Sequence, residues 1–376
     1  MSKYGFIGLG LIGGSLARAL KADDPSNVIA AYNRSEASLE EAVKDGVVDI
    51  PLHEIGEGFS DCDVIFLCLP VITNAEALSK LAPYVKENTI VTDVSSVKGS
   101  IMKAAEEAGL KNNFVGGHPM AGSERTGYIA SSKDLYRNAY YIITPFEEGD
   151  KKAEVLKDIA LKAGAIPIIM DAAKHDRIVA GVSHIPHLAA AALVELVKNN
   201  DYEDGLMKTV AAGGFKDITR VASSSPTMWK EICESNDINI SEFLEDLIGK
   251  LSEIRDMVDE KNGDYIADLF DDAGTYRNSF NTLSAGPIKD SHKFSIDISD
   301  EPGAIASVAT ILAVNGINIK NIGIQHNREY IGGDMTVGFW DAESKEKAAD
   351  ILKGKGYILH GIYFIKDEAG FTERNR

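Results

Sequence analysis

Lys3-Tyr4-Gly5-Phe6-Ile7-Gly8-Leu9-Gly10-Leu11-Ile12-Gly13-Gly14-Ser15-Leu16-Ala17 is the stretch whose reading decides the fold. Tyr4 to Ile7 form a short apolar run and read as a buried strand. Gly8, Gly10 and Gly13 follow in the spacing G-x-G-x-x-G, and Ser15 to Leu20 read as a helix. In a dinucleotide fold each glycine has a task. The first turns the chain tightly, the second lets backbone approach a pyrophosphate, and the third lets the helix pack closely on its strand. The helix start then offers unpaired N–H groups and a partial positive charge to phosphates. A glycine triplet alone is weak evidence. The strand before it and the helix after it are the context that gives it weight. The bland alternative is a glycine-rich turn with no ligand.

Outward from this motif, Asn27 to Tyr32 read as the second strand. An acidic residue at its end would suit the ribose hydroxyls of NAD, but the chain has Asn33-Arg34-Ser35. An Arg among small polar residues suits the 2′-phosphate of NADP. An exposed loop Arg beside bound NAD is the competing reading. A helix at Ser38–Lys44 and a short strand at Val47-Val48 come next. Asp63 to Pro70 is a continuous apolar strand stopped by Pro, and Thr89–Asp93, Tyr140–Thr144 and Ala165–Met170 are further strands. Helices at Ala75–Leu81, Ser100–Ala108 and Lys152–Ala163 alternate with them. This alternation predicts an α/β domain with a Rossmann-type doubly wound parallel sheet over residues 1–171.

Beyond Asp171 strand signals vanish for about a hundred residues, enough for an all-α second domain over 172–284. One long helix is expected from Ala173 to Asn199, kinked at Pro186, with others at Asp204–Val210, Pro226–Glu234, Ile240–Asn262 and Tyr265–Phe280. Ser284-Ala285-Gly286-Pro287 reads as a linker. The tail, 292–366, alternates as β-α-β-β-α-β, the pattern of a small α+β ferredoxin-like domain, with Gly316 ending its first helix.

Composition narrows the function classes. The chain has 376 residues with 39 Lys plus Arg against 57 Asp plus Glu, a net charge of −18. That disfavours nucleic acid and anionic membranes as partners. Cys62, Cys68 and Cys233 have neither metal spacing nor a pairing framework, which fits a reducing cytoplasm. No signal peptide and no uninterrupted apolar segment of bilayer length are expected.

His118-Pro119 follows an apolar strand and two glycines, on the same sheet edge as Ser96. A His there can take a proton near neutral pH, and a neighbouring hydroxyl can orient it. A loop His with a structural hydrogen bond is the alternative. His184 and His187 share a helix face, but no third residue has zinc-ligand spacing, so no metal is expected. A core or interface position, or a substrate contact, is left for them. Lys216 and Arg220 stand four apart just after two glycines, a carboxylate grip or a solvated surface pair. Trp229 reads as core.

Together these motifs resemble the prephenate and arogenate dehydrogenase family of tyrosine biosynthesis. The resemblance runs from Gly8 to about Phe280. It is carried by Gly8–Ser15, Asp93-Val-Ser-Ser-Val-Lys98, His118-Pro-Met-Ala-Gly-Ser-Glu124, Ser183-His-Ile-Pro-His187 and Gly213-Gly-Phe-Lys-Asp-Ile-Thr-Arg220 with Trp229. It implies an NAD- or NADP-dependent enzyme that oxidatively decarboxylates prephenate to 4-hydroxyphenylpyruvate. Arogenate, giving tyrosine, is the alternative substrate. It implies His118 as the catalytic base assisted by Ser96, and Arg220 as the grip on the ring carboxylate. His187, Lys216, Glu124 and His175 are implied as further substrate contacts. The cofactor is expected against Gly8, Gly10, Leu11, Ile12, Gly13, Asn33, Arg34, Ser35, Leu69, Pro70 and Ser96. A homodimer joined through the helical domain is implied as well. The tail resembles an ACT domain, with Asp300, Gly303 and Asn318 in its ligand region, which implies feedback by an aromatic amino acid, tyrosine foremost. A β-hydroxyacid dehydrogenase would be expected to use a Lys as its acid/base, and a non-catalytic nucleotide or amino-acid sensor would show no turnover.

Overall fold

The computed structural model describes residues 2–122, 125–283, 292–299, 301–326 and 332–360. They divide into two compact units, Met1–Lys261 and Asn262–Arg376.

The first unit opens with β1 (Lys3–Ile7), α1 (Leu11–Asp23), β2 (Val28–Tyr32), α2 (Glu36–Lys44), β3 (Ile50–Leu52) and β4 (Val64–Leu67). It continues with α3 (Val71–Leu81), β5 (Ile90–Asp93), α4 (Gly99–Glu107), β6 (Phe114–Pro119), β7 (Tyr140–Thr144), α5 (Lys151–Lys162) and β8 (Ile166–Ile169). The strands form one sheet in the order β3-β2-β1-β4-β5-β6-β7-β8. Strand direction departs from the expectation at one place. β7 runs antiparallel to β6, while the other neighbours, β7–β8 included, are parallel. Among its described residues the segment from Pro119 to β7 holds only a 3-10 turn, Tyr128–Ala130, and no crossover helix, and it returns at the same sheet edge, so β7 reverses; α5 then restores the parallel sense. The third strand also forms later than expected, at Ile50–Leu52, and Val47 and Val48 are buried in the turn before it.

Side-chain alternation along the strands builds an apolar layer on each face. Tyr4, Phe6 and Phe66 pack with Leu16 and Leu20 of α1 and Leu156 of α5, the Phe6 and Phe66 rings stacked at 5.0 Å. Ile7, Ile65, Leu67, Val91 and Phe114 face the other way, against Leu78 of α3 and Ile101 of α4. Strand order reverses between β1 and β4, which opens a crevice at the carboxyl ends of the strands.

Helices follow: α6 (Ala172–Val179), α7 (Ile185–Asn200), α8 (Leu206–Val210), α9 (Gly213–Thr219), α10 (Pro226–Ser235) and α11 (Asp237–Asp259). Just before Pro186, where a kink is expected, a π-helical stretch, Ala180–His184, joins α6 to α7. Proline has no N–H to give and its ring crowds the preceding turn. Widening that turn relieves both, and Pro186 then stands near the start of α7, where a missing N–H costs least. The combined run Ala172–Asn200 is long and apolar enough to cross a membrane by length and mean hydropathy, 1.4, although Lys174, Asp176, Arg177, Glu195 and Lys198 interrupt it, so no uninterrupted apolar segment of bilayer length is present in it. Val97, Ala180, Ile232 and Ile240 form a small core tying the β5–α4 loop to these helices.

The second unit contains α12 (Gly263–Leu283), β9 (Lys293–Ser299), α13 (Ala304–Val314), β10 (Asn321–His326), β11 (Gly332–Gly338), α14 (Ala342–Gly354) and β12 (Leu359–His360). Its four-stranded sheet has the order β10-β11-β9-β12 with every neighbouring pair antiparallel. Phe294, Ile296 and Ile298 alternate inward from β9 onto Val308, Leu312, Ala348 and Leu352 of the two helices. Gly316, at φ +71°, follows the end of α13 as a left-handed cap. The linker at Ser284–Pro287 lies outside the described residues.

Candidate active site

The glycine loop joins β1 to α1 at the sheet crevice. Gly8 has φ +105°, and its N–H donates to the Tyr32 carbonyl at 2.8 Å. A Cβ on Gly13 would overlap the Gly8 carbonyl oxygen and stand 2.8 Å from Cys68 Cβ, so this residue holds helix against strand. At Gly10 a Cβ would meet nothing within 4 Å. Gly10 is also the N-cap of α1 and gives it no side-chain cap, so the N–H groups opening the helix at Leu11 and Ile12 lack a side-chain acceptor. Open space at one glycine and uncapped amides beside it form a cradle that fits a diphosphate. The residues present therefore fit NAD or NADP.

The turn after β2 divides its residues between scaffold and surface. Asn33 Oδ1 accepts from the Leu9 N–H at 2.9 Å and its amide donates to the Ser35 carbonyl at 3.1 Å, so this side chain braces the glycine loop. Ser35 caps α2, and Arg34 is exposed. Across the crevice, Leu69 and Pro70 follow β4 and lead into α3. Asn74, which sequence reasoning missed, accepts from the Leu69 N–H at 3.0 Å and donates to the Leu69 carbonyl and Ser95 Oγ at 2.8 and 2.9 Å.

The carboxyl ends of β5 and β6 are held by a buried ion pair, also missed. Lys98 Nζ donates to Asp93 Oδ2 and, at 2.7 Å, to the Gly117 carbonyl. Asp93 accepts in turn from the N–H groups of Gly117 and Ser95, at 3.1 and 2.9 Å. Both side chains are fully buried. Losing one partner of such a pair costs about 3–5 kcal/mol. Asp93 and Lys98, opposite charges five residues apart, were its sequence signal. Ser96 sits half-buried in the same loop.

His118, buried at the end of β6, comes next to the pair. Its Nδ1 lies 2.8 Å from Nε2 of His175 on α6, with the two rings edge to face. His175 Nδ1 lies 2.8 Å from Asp176 Oδ1. Burial pushes the His118 pKa well below 6.5, and the charges of His175, Lys98 and His184 act in the same direction. Burial also lowers His175, against the opposing hydrogen bond from Asp176.

The polar chain runs on into the helices. Asn236 Nδ2 donates to the Asp176 carbonyl at 2.9 Å and lies 3.2 Å from His184 Nδ1. Burial lowers His184 to about 4. Trp229 bridges the two histidines of the SHIPH motif, with ring centroids 5.9 Å from His184 and 4.4 Å from His187. It also packs against the small core of Val97, Ala180, Ile232 and Ile240, as its core reading expects. His187 Nδ1 donates to the Ser183 carbonyl at 2.8 Å. Lys216 on α9 and Arg220 at the head of the following 3-10 turn are both exposed, on elements that pack against α7. Glu124 lies outside the described residues, as does Asp300. Gly303, at φ +95°, and the exposed Asn318 belong to the second unit. Among the described residues no group of three His, Cys, Asp or Glu side chains could hold a metal ion.

Known proteins resemble this chain over the sheet domain, the helices that follow it and, for the longest matches, most of the chain. Residues 16–168 match the family model "Prephenate dehydrogenase, nucleotide-binding domain", and residues 171–272 match "Prephenate dehydrogenase, dimerization domain". The prephenate dehydrogenase of Bacillus subtilis is 34% identical over 93% of this chain and 95% of its own length. The structure of prephenate dehydrogenase from Aquifex aeolicus in complex with hydroxyphenyl propionate and NAD+ superposes with a TM-score of 0.70 at 30% identity, over 74% of this chain and 98% of that one. Synechocystis arogenate dehydrogenase gives 0.66 at 29% identity, over 74% of this chain and 99% of that one.

Proposed function

The chain belongs to the prephenate dehydrogenase family, and from this premise we propose that His118 is the base in the oxidative decarboxylation of prephenate to 4-hydroxyphenylpyruvate. The observation that carries the reading is a buried imidazole at the carboxyl end of β6, on the sheet edge that also bears the glycine cradle. NAD or NADP held at Gly8, Gly10, Leu11, Ile12 and Gly13 supplies the two-electron acceptor. His118 takes the proton of the ring hydroxyl as the adjacent C–H bond breaks. The ketone so formed draws electrons from the bond to the ring carboxylate, which leaves as CO2. The ring becomes aromatic and its oxygen recovers the proton from His118, so the proton balance closes within the site. Arg220 holds the ring carboxylate for orientation, since gripping it too tightly would only stabilise the ground state. Ser96 assists His118, and His187, Lys216 and Glu124 meet the rest of the substrate.

We assign residues 1–171 to the cofactor, 172–284 to substrate and dimer contacts, and 292–366 to regulation. Support for a homodimer comes from the matched dimerization domain and from apolar residues exposed on the helices, Leu196 at 60% and Leu251 at 56% among them, and a cytoplasmic setting is supported by the unpaired Cys62, Cys68 and Cys233. We propose that the tail, whose strand order and two helices suit a ferredoxin-like split β-α-β unit, is an ACT-type domain that carries tyrosine feedback through Gly303, Asn318 and Asp300. The test is growth of nicotinamide absorbance with prephenate and with arogenate, each with NAD and NADP, with and without tyrosine. Prephenate should be oxidised; no turnover of either substrate would leave a sensor as the reading.

A further inference from the structure

We infer that His175 and Asp176 are the positioning pair of the catalytic imidazole, holding His118 in the tautomer whose Nε2 is free of hydrogen and ready to accept. The inference rests on His118 being the base. It follows from counting donors. Asp176 receives the Lys98 N–H on Oδ1 and the Gly99 N–H on Oδ2, both at 2.7 Å, at the opening of α4. His175 Nδ1 approaches the same Oδ1 at 2.8 Å. A carboxylate so surrounded only accepts, so His175 Nδ1 carries hydrogen. In the neutral ring His175 Nε2 is then an acceptor, and His118 Nδ1 must donate to it across 2.8 Å. Neutral His118 is left with its lone pair on Nε2. Burial favours the neutral form of both rings, so the tautomer chain has one solution.

The pair is also anchored. His175 has no exposed surface, and the Asp176 main-chain carbonyl accepts from Asn236 at 2.9 Å, so this dipeptide is gripped by α4 and by the start of α11. When His118 takes the substrate proton, the imidazolium keeps its Nδ1–H bond to His175, whose far side faces the carboxylate. The transient positive charge is spread toward Asp176 without a proton leaving the site. His175 thus acts through His118 rather than on the substrate, a different part from the substrate contact its family resemblance implies.

The experiment compares Asp176→Asn and His175→Ala with the wild-type full chain. In Asp176→Asn the amide can present N–H to His175 Nδ1, reversing both tautomers and leaving hydrogen on His118 Nε2. The expected result is a fall in kcat of about a hundredfold or more, with KM for prephenate and cofactor affinity changed less than about threefold. In His175→Ala, added imidazole should restore kcat by about tenfold or more and leave wild type unaffected, which a purely structural role would not produce. Wild-type kcat in Asp176→Asn overturns the inference. So does a folded, cofactor-binding His175→Ala that imidazole fails to rescue, and this arm decides alone should the Asn variant be recovered unfolded. Absence of wild-type turnover with prephenate would instead remove the proposed function.

Discussion

At the scale of single residues, the chemistry reduces to which groups can hold a proton in a dry place. His118→Asn keeps a polar side chain of similar reach but cannot accept the proton, so turnover should drop by about a hundredfold or more while cofactor binding, read by fluorescence, stays intact. The pH dependence has a definite sign. His118 must be neutral to work, and burial, then His175, Lys98 and His184, push its pKa below 6.5. Asp93 is paired with Lys98 and accepts from the Gly117 N–H, and Asp176 is linked to His118 through His175. Activity should therefore persist as pH falls through 6.5, with the acid limb of kcat/KM lying lower; a limb at or above that value would contradict the arrangement. His118, Ser96 and the cationic pair were legible as residue types in suggestive company. The Asn74 and Asn236 contacts were not, because a buried amide looks like any loop Asn until its partners, up to 60 residues away, are in view.

At the scale of elements, the strand–glycine–helix unit separates two roles that one motif merges. Gly10 faces open space and Gly13 faces backbone. Gly10→Ala should leave thermal stability unchanged and weaken cofactor binding by titration, because the added methyl enters the phosphate's space. Gly13→Ala should lower the melting temperature, reflecting about 1–3 kcal/mol of overpacking between helix and strand. Equal effects of the two would refute this division. The same scale explains the π-helical stretch. Pro186 announced a disturbance, but whether a helix bends or widens there depends on what packs beside it, and Gly181 lies against the Phe243 ring of α11, a Cβ there coming within 3.2 Å.

For the whole molecule, three buried imidazoles link folding to pH. His118, His175 and His184 all have folded pKa values below 6.5, the last at about 4. The unfolded chain takes up protons near 6.5 and the folded chain resists until lower pH, so stability is full above 6.5 and drains as pH falls. The melting temperature, followed by calorimetry, should decline between pH 6.5 and about 4, and His184→Asn should make that decline shallower. In the second unit, Gly303 adopts φ +95°, which a branched residue tolerates poorly. On the regulatory reading, Gly303→Val should abolish inhibition by tyrosine in steady-state assays while uninhibited turnover stays near wild type.

By itself the sequence determined what is local. Glycine spacing, apolar strands, helical runs and the β-α-β-β-α-β tail depend on neighbours within one element, and so they, and the family resemblance they carry, were readable in order. Only the tertiary structure decided the reversal of β7, the widened turn before Pro186 and the chain from His118 through His175 to Asp176. Each of these depends on groups far apart along the chain meeting in space, where burial and shared hydrogen bonds, not sequence proximity, select the arrangement.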